Sequence, residues 1–262
     1  GLVGSEMCIR DRLRNRMKRI DVVGFGPGGY EYMTVQAVEA MKSADVIVGY
    51  TTYIDLIRNL FPEKNFLDTP MTREVERCRI ALAEAMKGKQ VALVSSGDSG
   101  IYGMAGIMLQ VVQASGEDIP VRIIPGVTAA SVGASVLGAP LMNDFAVISL
   151  SDLMVSLEQI MKRVECAAEG DFVICLYNPK SRKRKDYLEK AADLILKFRK
   201  PETPVGIVRR AGRENSSWEL TALKDLKHAE VDMFTIVIIG NSMTYIRDGK
   251  MLTPRGYVLE EV

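Results

Sequence analysis

Three glycine-rich stretches and one basic run hold the residues of this 262-residue chain that could do chemistry. The first, Gly24-Phe25-Gly26-Pro27-Gly28-Gly29, follows the strand-like Ile20-Asp21-Val22-Val23. Its glycines match the G-x-G-x-x-G spacing, in which absent side chains let backbone amides and a helix N-terminus approach a pyrophosphate. Pro27 opposes that reading, because it removes a donor where a phosphate loop needs one, and no helix starts before about Thr34. A tight strand-to-helix turn requiring positive φ accounts for the same residues. The second stretch, Ser95-Ser96-Gly97-Asp98-Ser99-Gly100-Ile101-Tyr102-Gly103, ends another apolar run. Ligands collect at such strand ends in open α/β sheets. Helix capping by Asp98 or Ser99 is the plainer alternative. The third runs from Pro125-Gly126-Val127-Thr128-Ala129-Ala130 through Gly133 to Gly138. Thr128 suits an N-cap there, and small residues in the helix behind it admit either a ligand or a closely packed neighbour.

The basic run is Lys180-Ser181-Arg182-Lys183-Arg184-Lys185, after Asp171-Phe172-Val173-Ile174-Cys175-Leu176-Tyr177-Asn178-Pro179. Cations at the start of a helix oppose its macrodipole, a sign that a polyanionic ligand would reverse. A solvated charge run is the plainer explanation of such a stretch taken alone. Arg209, Arg210 and Arg213 form a second local cluster.

The elements that position these stretches follow from apolar periodicity. Valine- and isoleucine-rich runs at 20–23, 46–48, 91–95 and 122–124 read as strands buried on both faces. Helices between them carry one-sided apolar sets: Val35, Val38 and Met41 after Thr34; Ile54, Ile57 and Phe61 after Thr51 or Thr52; Val75, Leu82 and Met86 after Thr72. A second set of strands is expected at 146–150, 172–176, 205–208 and 235–239, and a helix at 186–200. Glycine and proline in Gly138-Ala139-Pro140 break the pattern between the two sets. The reading is an α/β chain of two domains, residues 17–142 and 143–262. Residues 1–16 contain no apolar run of signal-peptide length and precede a natural start at Met17-Lys18-Arg19, so they read as an extension outside the fold.

Composition narrows the function. Thirty-four basic and 33 acidic side chains leave a charge of +1, without the broad basic footprint of a nucleic-acid binder. Apolar stretches such as Phe234–Ile239 fall far short of the ~20 residues that span a bilayer. Cys8, Cys78, Cys166 and Cys175 are too dispersed for a C-x-x-C site and read as reduced cytoplasmic thiols. His228 is the sole histidine, which removes a histidine triad and a multi-histidine metal site from consideration. No metal is expected.

Taken in order, GFGPGG with Met33-Thr34, VGYTTYIDL, SSGDSGIYGMA, IPGVTAA, LGAPL, SLSDL, DFVICLYNPKS, TPVGIVRRAGRE, VIIGNS and TPRGY at 253–257 resemble the tetrapyrrole methylase family. Within it they look like the enzymes that methylate position 17 of precorrin-3B or cobalt-precorrin-3 in cobalamin synthesis. The resemblance covers about Lys18 to Tyr257. It implies two α/β domains with S-adenosylmethionine in the cleft between them, S-adenosylhomocysteine as product, a tetrapyrrole substrate and a homodimer. Pro27 looks like the family's first-loop cofactor contact, Ser96, Gly97, Asp98 and Ile101 its second-loop contacts, and Thr128 and Ala129 its helix-start pair. Tyr177 and Ala211 stand where relatives also touch the cofactor. Many relatives read His-Asp-Phe where this chain has Asn143-Asp144-Phe145, and relatives that make sirohaem carry an aspartate where Gly49-Tyr50-Thr51 stands.

The implied reaction suits a chain with one histidine. Methyl transfer from a sulfonium is an in-line displacement in which orientation alone can supply roughly 7 to 11 kcal/mol. Ring contraction needs proton movement, for which Asp98 comes first and Tyr50 second, and replacing Asp98 should lower turnover far more than stability. Arg182, Arg184 or Arg213 could grip substrate carboxylates through arginine forks. Three rivals remain: a same-fold methylase acting on another substrate, a nicotinamide enzyme, and a non-catalytic tetrapyrrole carrier. The nicotinamide reading lacks the acidic residue expected at the end of the second strand, where Val48-Gly49-Tyr50 stands.

Overall fold

The computed structural model describes residues 18–181 and 185–258, so the extension 1–16 and Arg182 and Arg184 lie outside the described residues. Contacts divide the chain into two compact units, one ending at Thr128 and the other beginning at Ala129.

The first unit contains β1 (Arg19–Gly24), α1 (Val35–Ser43), β2 (Val46–Tyr50), α2 (Thr51–Ile57), β3 (Asn65–Thr69), α3 (Glu74–Met86), β4 (Gln90–Ser95), α4 (Ala105–Ser115) and β5 (Val121–Ile124). The strands form one parallel sheet in the order β3-β2-β4-β1-β5. Alternate strand residues feed two cores, as a sheet covered on both faces requires. Ile20, Val22, Val46, Val48, Val91 and Leu93 pack under α3 and α4. Val23, Ile47, Ala92, Val94 and Ile124 pack under α1 and α2. The chain leaves β1 toward β2 and leaves β4 toward β5, so these neighbouring strands send their connections in opposite directions. Doubly wound sheets hold ligands outside the carboxyl ends of the strands at such a reversal.

Thr34 caps α1 as expected, its Oγ1 accepting from the Ala37 amide at 3.1 Å. Neither of the other expected caps forms. Thr51 opens α2 with Tyr50 at the cap position and donates its hydroxyl to Asp68 Oδ2 at 2.6 Å. Thr72 takes φ +64° in the turn ahead of α3, which starts two residues later. The edge strand β3 is an addition to the expected set. Its sequence NFLDT has no β-branched residue before the final threonine, and most of it is exposed.

The second unit contains α5 (Ala129–Leu137), β6 (Gly138–Ala139), β7 (Phe145–Ser149), α6 (Leu157–Glu169), β8 (Val173–Tyr177), α7 (Tyr187–Ile195), β9 (Pro204–Arg209), β10 (Ser217–Ala222), β11 (Thr235–Ile239), β12 (Tyr245–Arg247) and β13 (Lys250–Leu252). Its main sheet runs β10-β9-β11-β8-β7, with β7 and β8 parallel and β11 antiparallel to both its neighbours. Helices α6 and α7 cover one face through Ile160, Val164, Leu188, Ala192 and Ile195. Helix α5 lies against the other, close enough that a Cβ on Gly133 would meet Ile236 Cγ2 at 2.8 Å. The glycine in that helix therefore answers to helix–sheet packing.

The division between units differs from the expected break at 138–145. Gly138 and Ala139 do not form a loose linker: they pair in parallel with Met251 and Leu252 of β13. Gly138 has φ +134°, and a Cβ there would lie 2.6 Å from the Met251 carbonyl oxygen. A glycine that reads as a breaker locally is fixed by a strand far along the chain.

Candidate active site

In the first unit the loops after β1, β4 and β5 are bound together by backbone. Gly26 and Gly97 form an antiparallel bridge, each amide donating to the other's carbonyl at 3.0 and 2.7 Å, with φ of +75° and +71°. Phe25 donates its amide to the Ser95 carbonyl at 3.1 Å, and Ser96 Oγ donates to the Gly26 carbonyl at 3.3 Å. The Gly26 amide that a pyrophosphate loop would offer is therefore already used. Only a short 3-10 turn, Tyr30–Tyr32, follows before α1. These two facts remove the dinucleotide reading of the first loop.

Asp98 ties the β4 and β5 loops. Its Oδ1 accepts from the amides of Gly100 at 2.8 Å and Ile101 at 3.0 Å, and its Oδ2 from Gly126 at 2.9 Å. Ser99, fully buried, donates Oγ to the Ile124 carbonyl at 2.8 Å. Glycine is required where these loops meet. A Cβ on Gly126 would lie 2.2 Å from Gly97 O, and one on Gly24 2.6 Å from the Ser99 nitrogen. Gly97 is different, since a Cβ there would find only the Thr128 Cα, at 4.0 Å. Pro27, Ser96, Gly97, Asp98, Ile101 and Thr128 thus all stand on loops at the carboxyl edge of one sheet, Thr128 closing the unit as its last residue.

Tyr50 ends β2 at the same edge. Its ring meets Tyr53 edge-on at 5.1 Å, and Tyr53 meets Phe25 at 6.2 Å. The Arg77 guanidinium lies 5.7 Å from the Tyr50 ring centroid and donates to Thr69 Oγ1 at 2.9 Å, the Pro70 carbonyl at 3.2 Å and Met104 Sδ at 3.6 Å. Arg77 is 4% exposed, and burial lowers its pKa. Sequence reasoning missed this residue. The available signal was an arginine beside the apolar α3 face formed by Cys78, Ala81, Leu82 and Ala85.

In the second unit, Tyr177 at the end of β8 accepts the Ala130 amide on its Oη at 2.9 Å, holding the first turn of α5 at the residue after Ala129. Asn178, at φ +51°, donates Nδ2 to Ser149 Oγ at 3.0 Å. Ala211 is buried just beyond β9, and Arg213 places its guanidinium 5.1 Å from the Phe234 ring centroid. Strands β7, β8 and β9 point the same way, so Tyr177, Ala211, Arg213 and the start of the basic run share one edge of this sheet.

The donor set fits a sulfonium cofactor. Residues 24–29, 95–103 and 125–129 contain no lysine, arginine or histidine to repel a cationic methyl donor, and the only charged side chain in them is the Asp98 carboxylate. Among the described residues no three His, Cys, Asp or Glu side chains gather as a metal site, and no helix is long and apolar enough to cross a membrane.

Comparison with known proteins identifies the family. A family model for tetrapyrrole (corrin/porphyrin) methylases matches residues 19–227. A probable cobalt-factor III C(17)-methyltransferase of Salmonella typhimurium is 49% identical over 240 residues, covering 92% of this chain and all of that one. A precorrin-3B C(17)-methyltransferase of a Sinorhizobium species is 38% identical over 90% of this chain and 96% of its own. The crystal structure of the methyltransferase CobJ superposes with a TM-score of 0.83 at 31% identity, covering 90% of this chain and 99% of the other. The chain belongs to the tetrapyrrole (corrin/porphyrin) methylase family.

Proposed function

We propose that this protein transfers a methyl group from S-adenosylmethionine to C17 of a cobalt-factor III or precorrin-3B type macrocycle in cobalamin synthesis, with associated ring contraction. The observation that carries the reading is the 49% identity to a C(17)-methyltransferase matched over its whole length. The lower identity of 38% to the relative named for precorrin-3B favours the cobalt-containing macrocycle as substrate.

The bound sulfonium would supply both the methyl group and its leaving group. What the chain adds is orientation. Pro27, Ser96, Gly97, Asp98, Ile101, Thr128, Ala129, Tyr177 and Ala211 hold the cofactor in this reading. The bridged Gly26–Gly97 backbone makes its seat stiff, and a reactant held in line gains roughly 7 to 11 kcal/mol over a free encounter. Arg213, with Arg182 and Arg184 of the basic run, grips the macrocycle's carboxylates. Tyr50 is the better placed proton carrier, because the Asp98 carboxylate accepts three backbone amides that fix its loops. The protein works in the cytoplasm as a homodimer.

The test is to incubate the protein with S-adenosylmethionine and either cobalt-factor III or precorrin-3B, then read product mass and absorbance. Gain of one methyl group with the cobalt compound is the expected result. Binding of the macrocycle without transfer, and without heat released on titrating S-adenosylhomocysteine, would leave a carrier instead.

A further inference from the structure

Arg77 is a buried cation whose contacts include no anion. The residue is 4% exposed, and its guanidinium meets Thr69 Oγ1, the Pro70 carbonyl, Met104 Sδ and the Tyr50 ring. Arg199, the other buried arginine among the described residues, is different, because it pairs with Asp171 Oδ1 at 3.1 Å. Removing a charge from water is costly, and an unbranched apolar side chain such as methionine would fill the position of Arg77 without that cost. Methionine could not hold several segments at once, as a planar fork of five N–H donors does.

The pleat of the sheet decides which segments are held. Val46 and Val48 of β2 point to the face covered by α3 and α4, so alternation ends the strand with Tyr50 on that same face. Thr69 stands directly opposite Tyr50 on β3. Arg77 comes from α3 against this last rung, and through Met104 it also reaches the start of α4. Three segments at the carboxyl edge of the sheet therefore share one buried hub. The Tyr50 ring is held twice, by Tyr53 edge-on at 5.1 Å and by the Arg77 guanidinium at 5.7 Å, whereas its hydroxyl makes no hydrogen bond among the described residues. A fixed ring with a disengaged hydroxyl is what a proton carrier needs, since its contribution depends on orientation.

We propose that Arg77 is a positioning residue, which fixes the Tyr50 ring through its guanidinium and its fork on Thr69, Pro70 and Met104 so that the Tyr50 hydroxyl meets the tetrapyrrole in one orientation. The proposal rests on the functional reading above, in which Tyr50 carries the proton.

The test is a double-mutant cycle on the full chain, with Arg77→Met and Thr69→Val each made in the parent and in Tyr50→Phe. Thr69→Val keeps the shape of its side chain and removes only the acceptor of Arg77 Nε. For each variant, kcat and KM for cobalt-factor III, Kd for S-adenosylhomocysteine and Tm are measured. In the parent, Arg77→Met should lower kcat about tenfold and Thr69→Val about threefold, while KM and Kd stay within about twofold. Tyr50→Phe keeps the ring and loses the hydroxyl, so its kcat is already low, and neither further change should lower it by more than about twofold. Should Arg77→Met not fold, the Thr69→Val arm decides. Equal fold losses in both backgrounds overturn the proposal, because they would leave Arg77 holding loops and nothing more. So does a parental kcat in Arg77→Met. Tyr50→Phe with the parental kcat removes Tyr50 as the proton carrier and this proposal with it. A parent inactive on the tetrapyrroles overturns the functional reading as a whole, whereas an active parent with additive variants overturns this proposal alone.

Discussion

Replacing Asp98 by alanine separates a loop-holding role from a chemical one. The carboxylate accepts three backbone amides, from Gly100, Ile101 and Gly126. The Gly126 bond is partly buried and joins two loops, so its loss strands a donor at about 1.5 to 3 kcal/mol. The other two are exposed and pass to water at about 0.5 kcal/mol each. The expected destabilisation is therefore about 3 kcal/mol, which for a chain of this size lowers Tm by roughly 6 to 12 °C. Asp98→Asn keeps one carbonyl oxygen and loses about half as much, because its amide nitrogen cannot accept a second loop. Thermal unfolding with and without S-adenosylhomocysteine, alongside turnover, is the assay. A stability within about 0.5 kcal/mol of the parent together with lost turnover would refute the loop-staple argument. It would restore the mainly catalytic role expected from sequence.

Glu84 gives a pH dependence. Hydrogen bonds from Lys87 at 2.5 Å and Lys89 at 2.6 Å hold its carboxyl below the usual 4.5, so its stabilisation is complete above that value and is lost as pH falls through the lowered one. Tm measured from pH 6 down to pH 3 should fall less steeply in Glu84→Gln, and parallel curves would remove the effect. Burial pushes the thiols of Cys78 and Cys175 up to about 12, whereas Cys166 is exposed. In a Cys8→Ser background at pH 8, Ellman's reagent should therefore label one thiol quickly in the native protein and the other two only on unfolding. Gly133→Ala should destabilise by about 1 kcal/mol, since overpacking against Ile236 outweighs the roughly 1 kcal/mol of helix propensity gained. A stabilised variant in urea titration would show that α5 can move off the sheet.

Strands β1, β2, β4, β8, β9 and β11 were legible because both faces are buried and valine and isoleucine dominate them. The edges were not. Strand β3 reads NFLDT and β10 reads SWELTA, each mixing polar and apolar residues with at least half of its side chains exposed, so their pairing comes from neighbours supplied by the rest of the chain. The β12–β13 hairpin carried a usable signal in Asp248-Gly249, which sit at φ +51° and +70° as a tight hairpin turn demands. The arginine at 77 was hidden because helix periodicity assigns faces, whereas its partners Tyr50 and Met104 are distant in sequence and Thr69 lies outside its helix.

The glycine-rich loops were located correctly by sequence, but the reason for most of their glycines changes. Absent side chains suggested room for a ligand. At Gly24, Gly103 and Gly126, however, a Cβ would strike the backbone of a neighbouring loop, so these positions are small because the chain folds on itself there. Gly97 alone of this group has an open side, and its φ of +71° keeps the β4 loop paired to Gly26 while that side stays clear. Two kinds of replacement should therefore separate. Alanine at Gly126 must displace backbone and should destabilise well beyond the roughly 0.5 kcal/mol scale of an exposed substitution, read as a lowered Tm. Alanine at Gly97 meets only the Thr128 Cα, at 4.0 Å, costs about 1–2 kcal/mol for its positive φ, and should weaken S-adenosylhomocysteine binding by more than that strain explains. Equal effects at the two positions, in calorimetry and in unfolding, would mean that loop packing accounts for all of these glycines and that the cofactor seat lies elsewhere.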